Sequence, residues 1–153
     1  MSRYLNYVAA AFLLAPYTSH AQEKAIPKHV PGEYFFTKRV CFVGPPTAKG
    51  EITWTDCGDV TDTLTIRHDP NDKITPLSIA AEFTFTNGHS CSFQGRGSFI
   101  RDRVISVRGE CHLVLFFSEN RVHTVTQGDC SSMCGARGSL DGAILTKRLA
   151  NAP

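Results

Sequence analysis

The stretch CSFQGRGSFIRDRVISVRGECHLVLFFS, from Cys91 to Ser118, contains three runs in which apolar and polar residues alternate. Alternation with a period of two is typical of a β-strand that is buried on one side. The dipeptide Arg101-Asp102 separates the first two runs, and polar pairs of this kind favour tight turns. We therefore predict an antiparallel meander over these residues.

The meander has a predicted register. A hairpin tip at residues 100–102 places two residues opposite each other when their numbers add up to about 202. Cys91 then faces Cys111, and the following hairpin brings Cys130 near Cys111 as well. Successive strand residues point to opposite faces, so the odd-numbered positions share the core face. The predicted core positions are Cys91, Phe93, Phe99, Ile105, Val107, Cys111, Leu113, Leu115 and Phe117, and the predicted outward positions are Gln94, Arg96, Arg108, Glu110 and His112.

Similar short runs, rich in Val, Ile, Thr and Phe, occupy most of the remaining chain, with turn residues between them. The sequence contains no long amphipathic helical pattern. The predicted fold class is therefore all-β, a small antiparallel barrel or sandwich of about 8–10 short strands stapled by disulfides. The further predicted strands are Glu33–Thr37, Arg39–Val43, Glu51–Thr55, Thr61–Arg67, Leu77–Thr86, Arg121–Thr126 and Ser139–Lys147.

The N-terminus predicts export. Residues 1–21 combine Arg3, the apolar run YVAAAFLLA and small residues near the end, which is the pattern of a secretory signal peptide. The apolar run is much shorter than the roughly 20 residues of a membrane span, so we expect no membrane insertion. Residues 22–31 are polar with two prolines and predict an N-terminal arm, and residues 32–150 predict a single β domain. The expected location is periplasmic or secreted.

All six cysteines lie after the predicted signal peptide. An even number of cysteines in a small exported domain predicts disulfides, because that compartment is oxidising. Cys41 with Cys57 is the pair we assign, and the pairing of Cys91, Cys111, Cys130 and Cys134 stays open. Only two cysteines, Cys130 and Cys134, lie close together in the sequence, and their spacing is C-x3-C. Neither a zinc site nor a thioredoxin-like redox motif is therefore predicted.

The stretch CSSMCGARGSLDG, from Cys130 to Gly142, allows a structural and a functional interpretation. In the structural one, the two cysteines fix a turn, Gly135 and Gly138 supply positive φ, and Leu140 starts the last strand. In the functional one, Arg137, Ser139 and Asp141 are binding residues that project toward a partner. Ser139 is not in a G-x-S-x-G context, so no nucleophile is predicted there.

Other chemical sites are weak. His112 and His123 approach each other across a hairpin in the predicted sheet but lack a third ligand, and solvated histidines are expected. Asp56, Asp59 and Asp62 lack the glycine and glutamate of an EF-hand, so a polar turn is expected. Glu51 and Asp56 show no sign of a glycosidase pair, and Trp54 alternates with Ile52 as a core residue does. We expect no catalytic residues, no metal and no cofactor, and therefore no enzyme.

The pattern from Asn87-Gly88-His89-Ser90-Cys91 through Gly95 and the strand CHLVLFF to Cys130-Ser131-Ser132-Met133-Cys134-Gly135-Ala136-Arg137-Gly138 resembles a C-terminal module of small exported proteobacterial proteins. Some of these proteins are similar to periplasmic lysozyme-inhibitor-like barrels. The resemblance covers roughly residues 77–147 and implies a barrel in an exported protein. The loop with a serine and a tyrosine that C-type lysozyme inhibitors carry has no counterpart here, so the resemblance implies no inhibitory residues.

Two functions follow as expectations. The first is a binding protein with a protein partner, for example an inhibitor or immunity-type protein against a cell-wall hydrolase such as lysozyme. The second is a small-ligand carrier with a cavity in the barrel. The formal net charge is only +2 and no basic stripe is present, so no nucleic-acid partner is expected.

Overall fold

The computed structural model describes residues 25–44, 48–51, 54–85, 89–135 and 138–149, without the side chains of residues 42, 43 and 54–56. The predicted signal peptide, residues 1–21, lies outside the described residues, as do residues 22–24 of the predicted arm.

Within the described residues, eight strands follow one another along the chain. Four of the predicted runs join in pairs: Glu33–Thr37 and Arg39–Val43 lie in the first strand, and Glu51–Thr55 and Thr61–Arg67 overlap the second. The residues between the joined runs include no proline, which would interrupt the hydrogen-bond ladder, so each pair of runs can form one continuous strand. The strands are β1 (Gly32–Val43), β2 (Trp54–His68), β3 (Leu77–Thr84), β4 (Ser90–Ile100), β5 (Arg103–Arg108), β6 (Cys111–Ser118), β7 (Arg121–Gln127) and β8 (Ile144–Lys147).

Each strand pairs antiparallel with the next one, and β8 pairs with β1, which closes the sheet into a barrel. The all-β prediction is therefore confirmed, and of the two predicted architectures the barrel is the correct one. The closure is short, because β1 and β8 share only the pairs Tyr34 with Lys147 and Phe35 with Thr146. Beyond Phe35, β1 continues without pairing to β8.

The predicted register of the hairpin formed by β4 and β5 is wrong by one residue. Ile100 pairs with Arg103, so the turn contains only Arg101 and Asp102, with Arg101 in the left-handed region at φ 61°. Paired residues therefore have numbers that add up to 203. A shift of one residue moves every side chain of a strand to the other face.

The shift corrects the predicted core. Val104 and Ser106 are buried on β5, whereas Ile105 is half-buried and Val107 is 50% exposed. Cys111 pairs with Arg108 across a second turn and does not face Cys91. The predicted faces of β4 and β6 are confirmed. The predicted core residues Cys91, Phe93, Cys111, Leu113 and Leu115 are buried, and Phe99 and Phe117 are partly buried against them. The predicted outward residues Gln94, Arg96, Arg108, Glu110 and His112 are exposed.

The interior is filled by large side chains from all eight strands and from the two segments beside them. Tyr34, Phe83 and Phe93 are its largest buried residues, with exposures of 2% or less. Burial of this apolar surface is the main contribution to folding, at about 25 cal/mol per Å².

Three disulfides bind the cysteines: Cys41–Cys57, Cys91–Cys134 and Cys111–Cys130. The predicted pair Cys41–Cys57 is confirmed, with the two residues directly opposite each other on β1 and β2. Cys41 lies near the end of β1 and Cys57 near the start of β2, and Cys91 and Cys111 lie at the starts of β4 and β6. All of these strand ends lie at the same end of the barrel, so the three bonds stabilise that end. Three disulfides are typical of an oxidising environment outside the cytoplasm.

The opposite end is covered by residues 25–31 of the predicted arm. Val30 is fully buried, and the Tyr34 hydroxyl donates to the carbonyls of His29 at 2.7 Å and of Val30 at 2.9 Å. The Lys147 ammonium donates to the carbonyls of His29 and Pro31, both at 2.7 Å. The arm is thus fastened to the strands that close the barrel.

A candidate binding cleft beside the disulfide-pinned loop

The two cysteines of the CSSMC run are bound to different strands. A 3₁₀ turn, Ser131–Met133, lies between them, and Cys130 joins β6 while Cys134 joins β4. The Asp129 carboxylate accepts a hydrogen bond from the Ser131 backbone N–H at 2.9 Å. Hydrogen bonds from the Ser131 hydroxyl and backbone lower the pKa of Asp129. The segment is therefore fixed at both ends.

The glycines that follow have another role than predicted. Neither Gly135 nor Gly138 has a positive φ; that conformation is adopted nearby by Gly142, at 77°. A Cβ on Gly138 would lie 2.8 Å from the Cys91 sulfur, and one on Gly135 would overlap the His89 ring. These positions lack a side chain because the chain passes close to the disulfide and to β4.

The segment of residues 138–143, called here the closing loop, is not the start of the last strand. The predicted strand Ser139–Lys147 begins only at Ile144, and Leu140 is buried at 1% exposure within the loop. Thr124 of β7 clamps the loop, since its hydroxyl donates to the Leu140 carbonyl at 2.5 Å and accepts from the Ala143 N–H at 3.1 Å. Its backbone adds two bonds, Thr124 N–H to the Ala143 carbonyl at 2.9 Å and Gly142 N–H to the Thr124 carbonyl at 2.8 Å.

Two of the three predicted binding residues lie on this loop, and both are exposed. The Ser139 hydroxyl accepts from the Asp141 N–H at 3.0 Å, and an Asp141 carboxylate oxygen accepts from the Thr126 N–H at 2.8 Å. They therefore stabilise the loop while remaining accessible. Arg137 lies outside the described residues and stays a prediction.

A cleft of about 440 Å³ lies beside the closing loop and is called here the loop cleft. Ser139, Asp141 and Ile144 line one side, and Phe36, Lys38 and Asp62 contribute to the other. It opens where β1 continues past its short pairing with β8. β8 pairs with β7 as far as Ile144, but its pairing with β1 stops at Thr146, so β1 and β8 separate at the cleft.

The floor of the loop cleft contains an ion pair. The Lys38 ammonium lies 2.6 Å from the Asp62 carboxylate, with the side chains 26% and 3% exposed. Asp62 also accepts from the Thr84 N–H at 2.9 Å, and the ammonium lies 4.9 Å from the centroid of the Phe85 ring. Each charge is therefore compensated, which a buried ion pair requires.

The rim of the cleft is apolar. Phe36 is 48% exposed and Ile144 is 55% exposed. The sequence analysis did not predict the β1 and β2 residues of this cleft, Phe36, Lys38 and Asp62. The available signal was Asp62, an acidic residue in phase with the buried Leu64 and Ile66 on β2.

The other candidates of the sequence analysis do not come together. His112 pairs with Gln127 and His123 with Phe116, so the two histidines do not face each other. The polar turn expected at Asp56, Asp59 and Asp62 is not present, because Asp59 and Asp62 lie within strand β2. The side chains of Asp56 and Trp54 are not among those that the structure describes. Within the described ranges, no group of three or more His, Cys, Asp or Glu side chains is arranged to hold a metal.

Comparisons with family models, with curated proteins and with solved structures gave no match. The resemblance to lysozyme-inhibitor-like barrels therefore stays a prediction. Among the described residues, no helix has the length and apolar character of a membrane span.

Proposed function

We propose that this chain is a non-enzymatic binding protein of the periplasm or of the secreted fraction, and that it contacts a protein partner through the loop cleft. The proposed class is an inhibitor or immunity-type protein against a cell-wall hydrolase such as lysozyme. One observation carries the proposal: two large apolar side chains, Phe36 and Ile144, are exposed on either side of a cleft whose loop is fixed in place.

The fixation supports a binding role because ordering a loop on association costs free energy. Cys134 and Cys130 hold the segment before the closing loop, and Thr124 holds the loop itself. A partner therefore meets a surface that is already ordered. Exposed aromatic and aliphatic groups around a cleft are typical of the few residues that dominate a protein interface.

The chemistry of the cleft indicates what a partner contributes. Phe36 and Ile144 favour an apolar side chain at the entrance. The Asp141 carboxylate and the Ser139 hydroxyl at the edge favour hydrogen-bond donors beside it. The expected contact is a protruding loop of the partner with an apolar residue flanked by donors.

The alternative, a carrier with ligand inside the barrel, has less support. Tyr34, Phe83 and Phe93 occupy the interior together with the aliphatic core. Internal ligand sites in barrels require an interior that side chains do not fill.

The test uses the oxidised chain from residue 22 onward in inhibition assays with a panel of lysozymes and other cell-wall hydrolases. We expect one of these enzymes to be inhibited, and we expect Phe36→Ala and Ile144→Ser to weaken inhibition by about tenfold or more, as interface anchors do. Ile100→Ser is the matched control, because Ile100 is 48% exposed at the other end of the barrel.

Inhibition that both changes leave intact would place the contact elsewhere. Absence of inhibition across the panel would refute the inhibitor class. Arg137→Ala belongs in the same series: a contact residue loses inhibition at unchanged melting temperature, whereas a structural residue lowers the melting temperature.

A further inference from the structure

A second and larger cleft lies at the end of the barrel opposite the disulfides and is called here the arm cleft. Its volume is about 1000 Å³, which is at the upper end of the usual range for small-ligand sites. Its walls are the arm, the β2–β3 loop at residues 69–76 and the turn after β4. It is independent of the loop cleft and of the function proposed for that cleft.

The β2–β3 loop presents an apolar side chain in an ordered conformation. Ile74 is 86% exposed. Its N–H donates to the Asp72 carboxylate at 3.0 Å, and its carbonyl accepts from the Ser98 hydroxyl at 2.7 Å. The backbone on both sides of this side chain is thus held, so its exposure is not the result of a loose loop.

The loop is held further by Arg96 of β4. The guanidinium lies 2.9 Å from the Asp69 carboxylate and 2.7 Å from that of Asp72. Asp72 also accepts from the Thr75 N–H at 2.8 Å and from its hydroxyl at 2.7 Å. Hydrogen bonds from the Thr75 backbone and hydroxyl, followed by that from Arg96, lower the pKa of Asp72.

A second apolar group faces the cleft from the β4 side. Ile100 is 48% exposed there, and Phe99 beside it is half-buried. Both line the cleft together with Ile74 and Ile26 of the arm. The arm cleft therefore has an apolar lining with contributions from three separate segments.

The charges around this lining are mainly positive. Lys28, Lys73 and Arg101 all line the cleft, and the Lys73 ammonium donates to the Pro70 carbonyl at 2.7 Å. Among the residues that the structure describes, none of the three forms an ion pair with a carboxylate. Asp72 is the one acidic residue among the described residues that line the cleft, and it is already bound to Arg96.

We infer that the arm cleft binds a free anionic amphiphile, in which a carboxylate or phosphate group contacts Lys28, Lys73 and Arg101 while an aliphatic chain covers Ile74 and Ile100. An anion compensates the three cations, and the chain removes the exposed apolar surface from water. Arg101 suits this role because its planar guanidinium donates two parallel hydrogen bonds to a carboxylate or phosphate.

The experiment titrates the oxidised chain from residue 22 onward by calorimetry, with three probes of equal chain length below their micelle concentrations. Dodecanoate and dodecyl phosphate are the anionic probes, and dodecyltrimethylammonium is the cationic control. We expect both anions to bind one site with an affinity that falls as salt is added, and the cation to bind at least about tenfold more weakly.

Variants locate the site. Arg101→Gln with Lys73→Gln, and separately Ile74→Ser, are expected to weaken dodecanoate binding by about tenfold each. Arg39→Gln and Ile144→Ser are the matched controls, because both residues are exposed outside this cleft, and they should bind as the unchanged chain does. If Ile74→Ser fails to fold, Ile100→Ser replaces it.

Several outcomes would overturn the inference. Equal binding of the cationic probe, or equal losses in the control variants, would indicate unspecific detergent binding. Binding to phosphatidylglycerol vesicles without binding of free dodecanoate would make the surface a membrane contact instead of a ligand site. No binding of either anion would also refute it. None of these results bears on inhibition at the loop cleft, so the two proposals fail separately.

Discussion

The Asp62 carboxylate binds Lys38 of β1 at 2.6 Å and the Thr84 N–H of β3 at 2.9 Å. The backbone ladder between β2 and β3 ends at the pair Thr63 with Glu82. One carboxylate thus connects three strands at the point where the regular pairing stops. It also supports the floor of the loop cleft.

Lys38→Met should lower the free energy of unfolding by about 2–4 kcal/mol. This is somewhat less than the roughly 3–5 kcal/mol for breaking a fully buried ion pair, because Lys38 is partly exposed. The loss arises because the Asp62 charge stays buried without its cation. Urea unfolding measures the effect, with Lys49→Met as the control, because Lys49 is exposed. Equal stability of the two variants would show that the ion pair does not contribute to stability.

The disulfide network should contribute unequally to stability. The sequence separation is 43 for Cys91–Cys134, against 16 for Cys41–Cys57 and 19 for Cys111–Cys130. On the chain-entropy model the first bond contributes about 4 kcal/mol and the other two about 3 kcal/mol each. Paired Cys→Ala variants compared by thermal unfolding should therefore rank Cys91–Cys134 first.

The connectivity has its own check. Thiol titration under denaturing conditions should find no free cysteine, and peptide mapping should recover the three pairs. Two or more free thiols would contradict the network.

Tyr34 should titrate late and make stability fall in strong base. Burial raises its pKa to about 12. The unfolded chain ionises near pH 10, so the stability that the neutral phenol contributes is complete below about pH 10 and is lost as the pH rises toward 12. The loss amounts to about 2–3 kcal/mol.

The measurement is direct, because Tyr34 is the only tyrosine after the predicted signal peptide. Tyrosinate absorbance at 295 nm reports on this residue alone, and Tyr34→Phe should remove both the absorbance change and this part of the alkaline destabilisation. A midpoint near pH 10 in the folded chain would contradict the burial of the hydroxyl beneath the arm.

Gly138→Ala should destabilise the chain by about 1–3 kcal/mol, because the added methyl group overlaps the Cys91–Cys134 disulfide. Gly58→Ala is the matched control: a Cβ there meets nothing within 4 Å, and a change within about 0.5 kcal/mol is expected. Thermal unfolding separates the two. Equal melting temperatures would mean that the loop shifts at little cost.

Local pattern was sufficient for the strands and for one disulfide. Runs of β-branched and aromatic residues with polar turns are short-range signals, so all eight strands were predicted in part or in full. Cys41 and Cys57 lie on consecutive strands that pair with each other, and their assignment needed no knowledge of the rest of the barrel. The exposed position of Ser139 and Asp141 was also indicated locally, since both lie in one turn-rich segment, and their role in binding stays a prediction.

Register and closure were decided by tertiary structure. The sequence indicated a turn at Arg101 and Asp102 but did not specify which residues pair across it. The observed pair Ile100 with Arg103 shifts the ladder by one position, and this exchanged the inner and outer faces of β5. Cys91 lies on β4 and Cys134 follows β7, so their bond forms only when the chain returns to β4 after the three strands β5, β6 and β7. The loop cleft likewise joins β1, β2 and the closing loop, whose residues meet only because the sheet closes on itself and because β8 stops pairing with β1 beyond Phe35.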